Sequence, residues 1–305
     1  VSIGITTLDA DVQTLPELLS AADTACYAAK NRGRNRIHVY QANDADLVQQ
    51  RGQQQWSVRI KRALETQRFC LYRQTIANPT QPQQAAPVHY EILLRMIDEK
   101  GDLVSPGYFI PAAERYNLMT EIDRWVVRAF FDHLKMTNQK QTTEFVSSAE
   151  TLYFINLSGT SISDAQFLTF LTEQFRQHHI SPQSIGFEIT ETAAISNLGQ
   201  ATRFIHELKQ LGCHFALDDF GSGMSSFGYL KNLPVDYLKI DGHFVKEIVA
   251  DPTTQAIVKS INHIGHVMGL RTIAESVETA ELCQVLSDIG VDYVQGYGID
   301  RPSPL

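Results

Sequence analysis

Ile185-Gly186-Phe187-Glu188-Ile189, then the helical stretch Ala201–Leu211, then His214-Phe215-Ala216-Leu217 running into Asp218-Asp219, is the pattern that decides the fold. A short apolar run, a helix period and a second short apolar run form a strand–helix–strand unit. The same alternation recurs on both sides of it. Apolar runs lie at Phe69–Ile76, His89–Met96, Leu152–Leu157, Tyr237–Ile240, Leu270–Ile273 and Val291–Val294, with helical patterns at Ile122–Leu134, Phe167–His178 and Thr254–Met268 between them. About eight strands over roughly 235 residues fit an α/β chain folded as an (α/β)8, TIM-like barrel. An open doubly wound sheet is the alternative, but no Gly-rich dinucleotide loop follows any strand.

The bulk properties narrow the function classes. The net charge of −8 argues against a nucleic-acid backbone as partner, so neither DNA nor RNA is expected. A small anionic ligand would have to be held by local cations. Cys26, Cys70, Cys213 and Cys283 are far apart and form no Cys-x-x-Cys pair, which speaks against a disulfide framework or zinc knuckle and for a cytoplasmic, reducing compartment. No apolar run approaches the roughly 20 residues that span a bilayer, and Val1-Ser2-Ile3-Gly4-Ile5 has no signal-peptide character.

Three stretches are distinguished along the chain. In residues 1–41, Val1–Thr6 reads as a strand, Leu15–Asn31 as a helix stopped near Gly33, and Arg36–Tyr40 as a short strand. Three elements bury little apolar surface alone, so this is read as a fragment of a larger domain. Residues 42–66 are polar and Gln-rich and read as a helical linker. Residues 67–305 carry the barrel.

Barrel chemistry sits at the C-terminal ends of the strands. Here those ends carry Glu91, Asn156, Glu188 with Glu191, Asp218-Asp219, Lys239 with Asp241, Glu275 and Gln295. Converging carboxylates repel: two unit charges about 4 Å apart cost about 4 kcal/mol at an effective dielectric near 20. Protonation or a divalent cation relieves this. An all-oxygen set of Asp, Glu and Asn suits magnesium or manganese, and a set this rich could hold two ions that clamp a phosphoryl displacement. Taken singly, each feature has a plainer reading. Asp218-Asp219-Phe220-Gly221 suits a turn, and Lys239 with Asp241 suits a surface pair. Their recurrence at the end of one apolar run after another favours a metal site. His263 and His266, spaced i, i+3, read as a solvated helix face rather than zinc ligands.

From about Gln67 to Pro302 the chain resembles the EAL domain of bacterial cyclic-di-GMP phosphodiesterases. The resemblance rests on Tyr90-Glu91-Ile92-Leu93-Leu94-Arg95, Asn156-Leu157-Ser158, Phe187-Glu188-Ile189-Thr190-Glu191, Asp218-Asp219-Phe220-Gly221-Ser222-Gly223, Leu238-Lys239-Ile240-Asp241, Ala274-Glu275-Ser276-Val277-Glu278 and Gln295-Gly296-Tyr297. Residues 1–41 resemble the last part of a GGDEF domain, through Val1-Ser2-Ile3-Gly4, Ala22-Asp23-Thr24-Ala25-Cys26-Tyr27-Ala28-Ala29-Lys30 and Gly33-Arg34-Asn35-Arg36.

The resemblance implies an enzyme that hydrolyses cyclic-di-GMP to linear pGpG with two divalent cations, Mg2+ or Mn2+, and is inhibited by Ca2+. It implies metal binding by Glu91, Asn156, Glu188, Asp218 and Asp219, and catalytic roles for Lys239, Glu275 and Asp219. Arg95, Leu94, Pro111 and Gln295 would contact the substrate. Glu191, Glu278, Gly221 and Ser222 would support the site and the loop after the paired aspartates. It also implies a homodimer formed through the EAL domain. In a tandem protein, GGDEF and sensory domains would lie upstream, and any membrane anchor would belong to them. Ile92 stands where the family most often has Ala, Ser276 where Gly is usual, and Met224 where Tyr is usual.

Rival readings are a catalytically silent cyclic-di-GMP receptor, a ligand-free interaction module and a glycosidase. The first two should show decay at the strand ends, which is absent. A glycosidase needs two carboxylates and would not call for Asn156, Lys239 and the double aspartate together.

Overall fold

The computed structural model describes residues 2–6, 22, 25, 29, 37–40, 45–80, 89–140, 151–221 and 228–305, with backbone alone at 45–54 and 138–140. Contacts divide the chain into two compact units, residues 1–67 with 105–116, and residues 68–104 with 117–305. In the first unit β1 (Ile3–Ile5) and β2 (Ile37–Val39) pair in parallel. Ala25 and Ala29 are helical and fully buried; most of the helix expected at Leu15–Asn31 lies outside the described residues. The segment read as a helical linker is helical over α1 (Ala45–Glu65), and α2 (Pro106–Arg115) begins with Pro at its first position, where no N–H is needed.

In the second unit, among the described residues, eight strands close into a barrel. They are β3 (Phe69–Ile76), β4 (His89–Ile97), β6 (Tyr153–Asn156), β7 (Ile185–Thr190), β8 (His214–Phe220), β9 (Tyr237–Ile240), β10 (Arg271–Ala274) and β11 (Tyr293–Val294), each beside the next. Reciprocal bonds between Ala77 and Val294, at 3.0 and 2.8 Å, join the last strand to the first. Short strands β5 (Leu103–Val104) and β12 (Ser303–Pro304) add antiparallel edges to β4 and β3. Each barrel strand falls on one of the expected apolar runs. The orientation of β3 departs from the all-parallel (α/β)8 pattern, because it runs antiparallel to β4. A parallel pair needs a helical crossover, and the link between these strands carries Pro79, Pro82 and Pro87, which suit no helix interior.

Helices α3 (Met119–Lys140), α4 (Gly159–Ile162), α5 (Ala165–His178), α6 (Glu191–Ser196), α7 (Leu198–Leu211), α8 (Gly242–Glu247), α9 (Pro252–Val267) and α10 (Ala280–Ile289) lie between the strands. Their starts are fixed by side-chain caps: Asp164, Thr190, Asn197, Asp251 and Thr279 each accept a backbone N–H of the first turn.

Side chains alternate along a strand, so residues two apart share a face. On the inner face this produces two layers. His89, Phe154, Gly186, Ala216, Tyr237, Ile273 and Tyr293 form the lower one, at the N-terminal ends of the parallel strands. Two residues further on, Glu91, Asn156, Glu188, Asp218, Lys239, Glu275 and Gln295 form the upper one. Antiparallel β3 contributes Ile76 below and Gln74 above. Ile76, Phe154, Ala216, Tyr237, Ile273 and Tyr293 belong to one buried cluster. Gly186 leaves room for the Phe154 ring: a Cβ there would lie 2.5 Å from it. The lower layer is a plug, each large apolar side chain contributing about 1.5–3 kcal/mol by burial, and chemistry is left to the upper layer.

Candidate functional site

The upper layer converges on one ammonium. Lys239 Nζ lies 2.7 Å from Glu188 Oε2, 2.7 Å from Glu275 Oε1, 3.2 Å from Asp218 Oδ1 and 3.8 Å from Glu91 Oε2. Burial works against this charge, but Asp218, Glu188, Glu275 and Glu91 outweigh it and push the Lys239 pKa well above its ordinary value. Asn156 Nδ2 and Gln295 Nε2 each donate to Glu91, both at 2.6 Å, so both oxygens of that carboxylate are held. Gln295 Nε2 also donates to Gln74 Oε1 at 3.1 Å.

One ammonium does not balance the acids around it. Glu188 is fully buried, and burial, reinforced by Glu91 and Asp218 against the pull of Lys239, pushes its pKa well up. Burial raises Glu275 to about 8. Asp219 is also raised, by burial and then by Asp218 and Asp241. An irregularity in the β8–β9 pairing between Leu217 and Phe220, with Asp219 in the left-handed region at φ 54°, brings two consecutive aspartates to the site instead of one. Asp218, Asp219 and Glu275 each place a carboxylate oxygen within 4.8 Å of the others. Glu188 Oε1 is buried without a hydrogen-bond partner, and Asp218 Oδ1, buried too, has no hydrogen bond beside its 3.2 Å ion-pair contact with Lys239. Excess negative charge, all-oxygen donors and orphaned buried oxygens fit a hard divalent cation.

An open cleft of about 320 Å³ lies over the layer, lined by Gln74, Glu91, Lys246, Glu275, Ser276, Glu278, Gln295, Gly296 and Tyr297. Glu278 stands at its rim, 3.4 Å from Lys246 Nζ, and touches none of the inner carboxylates through a described bond. Glu191, the first residue of α6, is buried. It accepts from Gly221 N at 3.1 Å and Tyr229 Oη at 2.5 Å, on the two sides of the segment that contains Ser222. Ser222 itself lies outside the described residues. Arg95 shares the Glu91 face of β4 by alternation. Its Nη1 donates to Leu94 O at 2.8 Å, and its guanidinium lies over the Tyr72 ring. Leu94 is on the opposite face of β4, across from Leu71, and is not gathered with the acids. Pro111 lies within α2 of the first unit.

A family profile described as the EAL domain matches residues 57–302. The chain belongs to the EAL domain family. The matched span takes in all eight barrel strands and every residue of the upper layer. The chain is 42% identical over 304 residues to the cyclic di-GMP phosphodiesterase PdeB of Shewanella oneidensis, covering 100% of this chain and 34% of PdeB. It is 36% identical over 247 residues to the cyclic di-GMP phosphodiesterase PdeF of Escherichia coli, covering 81% of this chain and 32% of PdeF. The chain thus spans about a third of the length of these curated relatives. Among solved structures, the PaMucR phosphodiesterase in complex with c-di-GMP superposes with a TM-score of 0.74 at 29% identity, covering 82% of this chain and 98% of that one.

Two polar residues of this EAL domain were not singled out from sequence. Asp123 of α3, buried, accepts from Ser158 N at 3.0 Å and from the Ser158 and Ser161 hydroxyls at 2.6 Å, fixing the turn after Asn156. Gln74 is the β3 contribution to the upper layer. Its signal was the polar–x–apolar spacing of Gln74 and Ile76, which is the order of the other strands reversed, as an antiparallel strand requires.

Proposed function

We propose that this EAL domain hydrolyses cyclic-di-GMP to linear pGpG with the help of two divalent cations, Mg2+ or Mn2+. The observation that carries the reading is the complete upper layer, in which the buried ammonium of Lys239 lies within 4 Å of four carboxylates. The activities for which PdeB and PdeF are named support it. In this reading Glu91, Asn156, Glu188 and Asp218 hold one ion, and Asp218 with Asp219 the other. Bound cations would supply an activated water and neutralise charge on the phosphate. Asn156 and Gln295 keep Glu91 in one orientation. Lys239 orients the attacking water and offsets negative charge that develops at phosphorus. Glu275 completes the acidic wall, Glu278 supports it from the rim, and Glu191 with Gly221 and Ser222 shapes the loop after the paired aspartates. Arg95 pairs with a phosphate, and Gln295 contributes a further substrate contact.

The remaining architecture belongs to the same proposal. Residues 1–41 are read as the end of a GGDEF domain, 42–66 as a linker and 67–305 as the EAL domain of a tandem, dimeric, cytoplasmically facing protein. Similarity to PdeB extends over the whole chain, beyond the matched span, so a stretch like residues 1–56 precedes the EAL span in that relative too. No helix among the described residues is long and apolar enough to cross a membrane.

The test is hydrolysis of cyclic-di-GMP by the purified chain in Mg2+ or Mn2+, followed by chromatography with an EDTA control. Linear pGpG that EDTA suppresses is expected, with Glu91→Ala folded but inactive and Ca2+ a poor substitute because of its looser coordination. Binding of cyclic-di-GMP without any product would assign a receptor instead. Normal turnover by Glu91→Ala would remove Glu91 from the metal site.

A further inference from the structure

Seven strands place residues singled out from sequence in the upper layer, and the eighth, β3, places Gln74 there. Gln74 is 7% exposed and stands directly opposite Glu91 in the β3–β4 register. Its Nε2 donates to the backbone carbonyl of Asp300 at 3.0 Å, and its Oε1 accepts from Gln295 Nε2 at 3.1 Å. A backbone carbonyl can only accept, so the Gln74 amide can face it only through its NH2 group. Its oxygen must then face Gln295, which therefore presents NH2 in turn. That same NH2 reaches Glu91 Oε2 at 2.6 Å. Gln295 Oε1 is left buried and without a hydrogen-bond partner in the wall of the cleft.

We propose that Gln74 is a positioning residue, which sets the polarity of this amide chain so that Gln295 donates to Glu91 and keeps its Oε1 as an acceptor for whatever donor the cleft receives. The anchor is the Asp300 carbonyl. Without it the Gln295 amide could turn over, setting an oxygen against the Glu91 carboxylate. The role in turnover rests on the hydrolysis proposed above; the effect on Glu91 does not.

The experiment therefore has an arm without substrate. Mn2+ alone is titrated against Gln74→Met and the unsubstituted protein, reading the thermal midpoint from an EDTA baseline. Gln74→Met should need about 10–100-fold more Mn2+ for the same shift, and should lower kcat more than it alters KM. Gln74→Glu cannot donate to Asp300 but offers Gln295 only acceptors, so it should keep Gln295 Nε2 on Glu91 and need less Mn2+ than Gln74→Met for the same shift. Unchanged Mn2+ dependence in a folded Gln74→Met, or a folded Gln74→Glu that needs as much Mn2+ as Gln74→Met, would overturn the proposal. If neither variant folds, 15N-glutamine NMR of the unsubstituted protein decides: slow exchange of the Gln74 and Gln295 side-chain amide protons supports it, and fast exchange of both overturns it. An unsubstituted protein that shows the Mn2+ shift but no hydrolysis would count against the proposed function alone.

Discussion

His89 and Lys239 are both buried ionisable side chains on the inner face of one barrel, 2% and 1% exposed, yet they are kept in opposite ways. His89, in the lower layer, is surrounded by the Phe154, Tyr237 and Tyr293 rings. Burial, with Arg271 and His214 adding to it, lowers its pKa to about 4, so it stays neutral and accepts from Leu152 N at 3.2 Å. Lys239, in the upper layer, is kept charged by four carboxylates that themselves lack enough counter-charge. The lower layer removes charge to make a core. The upper one accumulates it, which is unfavourable for folding and useful for binding cations and phosphate. Perturbed titration alone does not separate the two ends, since both have it; orphaned oxygens and convergent charge do.

Removing the ammonium tests the upper end most severely. Lys239→Met should abolish hydrolysis. In EDTA it should destabilise the domain by about 3–5 kcal/mol near pH 8, the scale of leaving buried charges unpaired. Because Glu275 is raised from 4.5 to about 8 and Glu188 is raised as well, both take up protons more readily in the folded than in the unfolded chain. These two acids therefore contribute metal-free stability that is lost as pH rises through about 4.5–8. The Lys239→Met deficit should shrink as pH is lowered and these acids become neutral. Urea titration in EDTA at several pH values measures it. A deficit independent of pH would mean that the lysine packs rather than neutralises.

The lower end should respond to pH with the opposite sign. His89 binds a proton at about 4 when folded and near 6.5 when unfolded, so between these values it is protonated more fully in the unfolded chain and its contribution to stability falls as pH falls. The span of about 2.5 units corresponds to roughly 3 kcal/mol of stability, fully present above about pH 6.5 and lost by about pH 4. His89→Asn keeps an acceptor for Leu152 N and removes the titration. Its urea midpoints, compared with those of the unsubstituted protein, should converge on acidification. Parallel curves would show that the imidazole is not a source of acid sensitivity.

The two layers also differ in how far they could be read from sequence. The apolar runs gave the strands because each is short, buried and followed by a helix period. The upper layer was legible because a carboxylate or lysine at the end of an apolar run is conspicuous. Three things were not. The reversed direction of β3 hid Gln74, whose partners Gln295 and Asp300 are 221 and 226 residues away. Asp123 sits mid-helix and gives no sign that it holds the turn after Asn156. The left-handed backbone of Asp219 and Ser276 follows from how loops pack on one another, and neither residue type announces it.

That packing yields the smallest of the expected effects. The lower layer uses Gly186 to admit an aromatic ring, whereas the rim of the upper layer uses glycines to admit hydroxyl and backbone atoms. A Cβ on Gly242 would lie 2.3 Å from Ser276 Oγ and 2.7 Å from Ser276 Cβ, with the next atom, Glu275 C, at 3.9 Å. Ser276 in turn adopts φ 55°, which is unfavourable for any side chain. Gly242→Ala alone should therefore destabilise by about 1 kcal/mol or somewhat more, as overpacking does. Ser276→Gly alone exchanges backbone strain for unfolded-state entropy, and should change stability by less than about 1 kcal/mol. Combined, Ser276→Gly removes both close contacts of the new methyl, so the double variant should recover most of the Gly242→Ala loss. A double-mutant cycle by urea denaturation in EDTA reads the coupling directly. Additive losses would mean that the methyl meets backbone instead, and that the rim is held by the chain rather than by the one hydroxyl-bearing side chain set against Gly242.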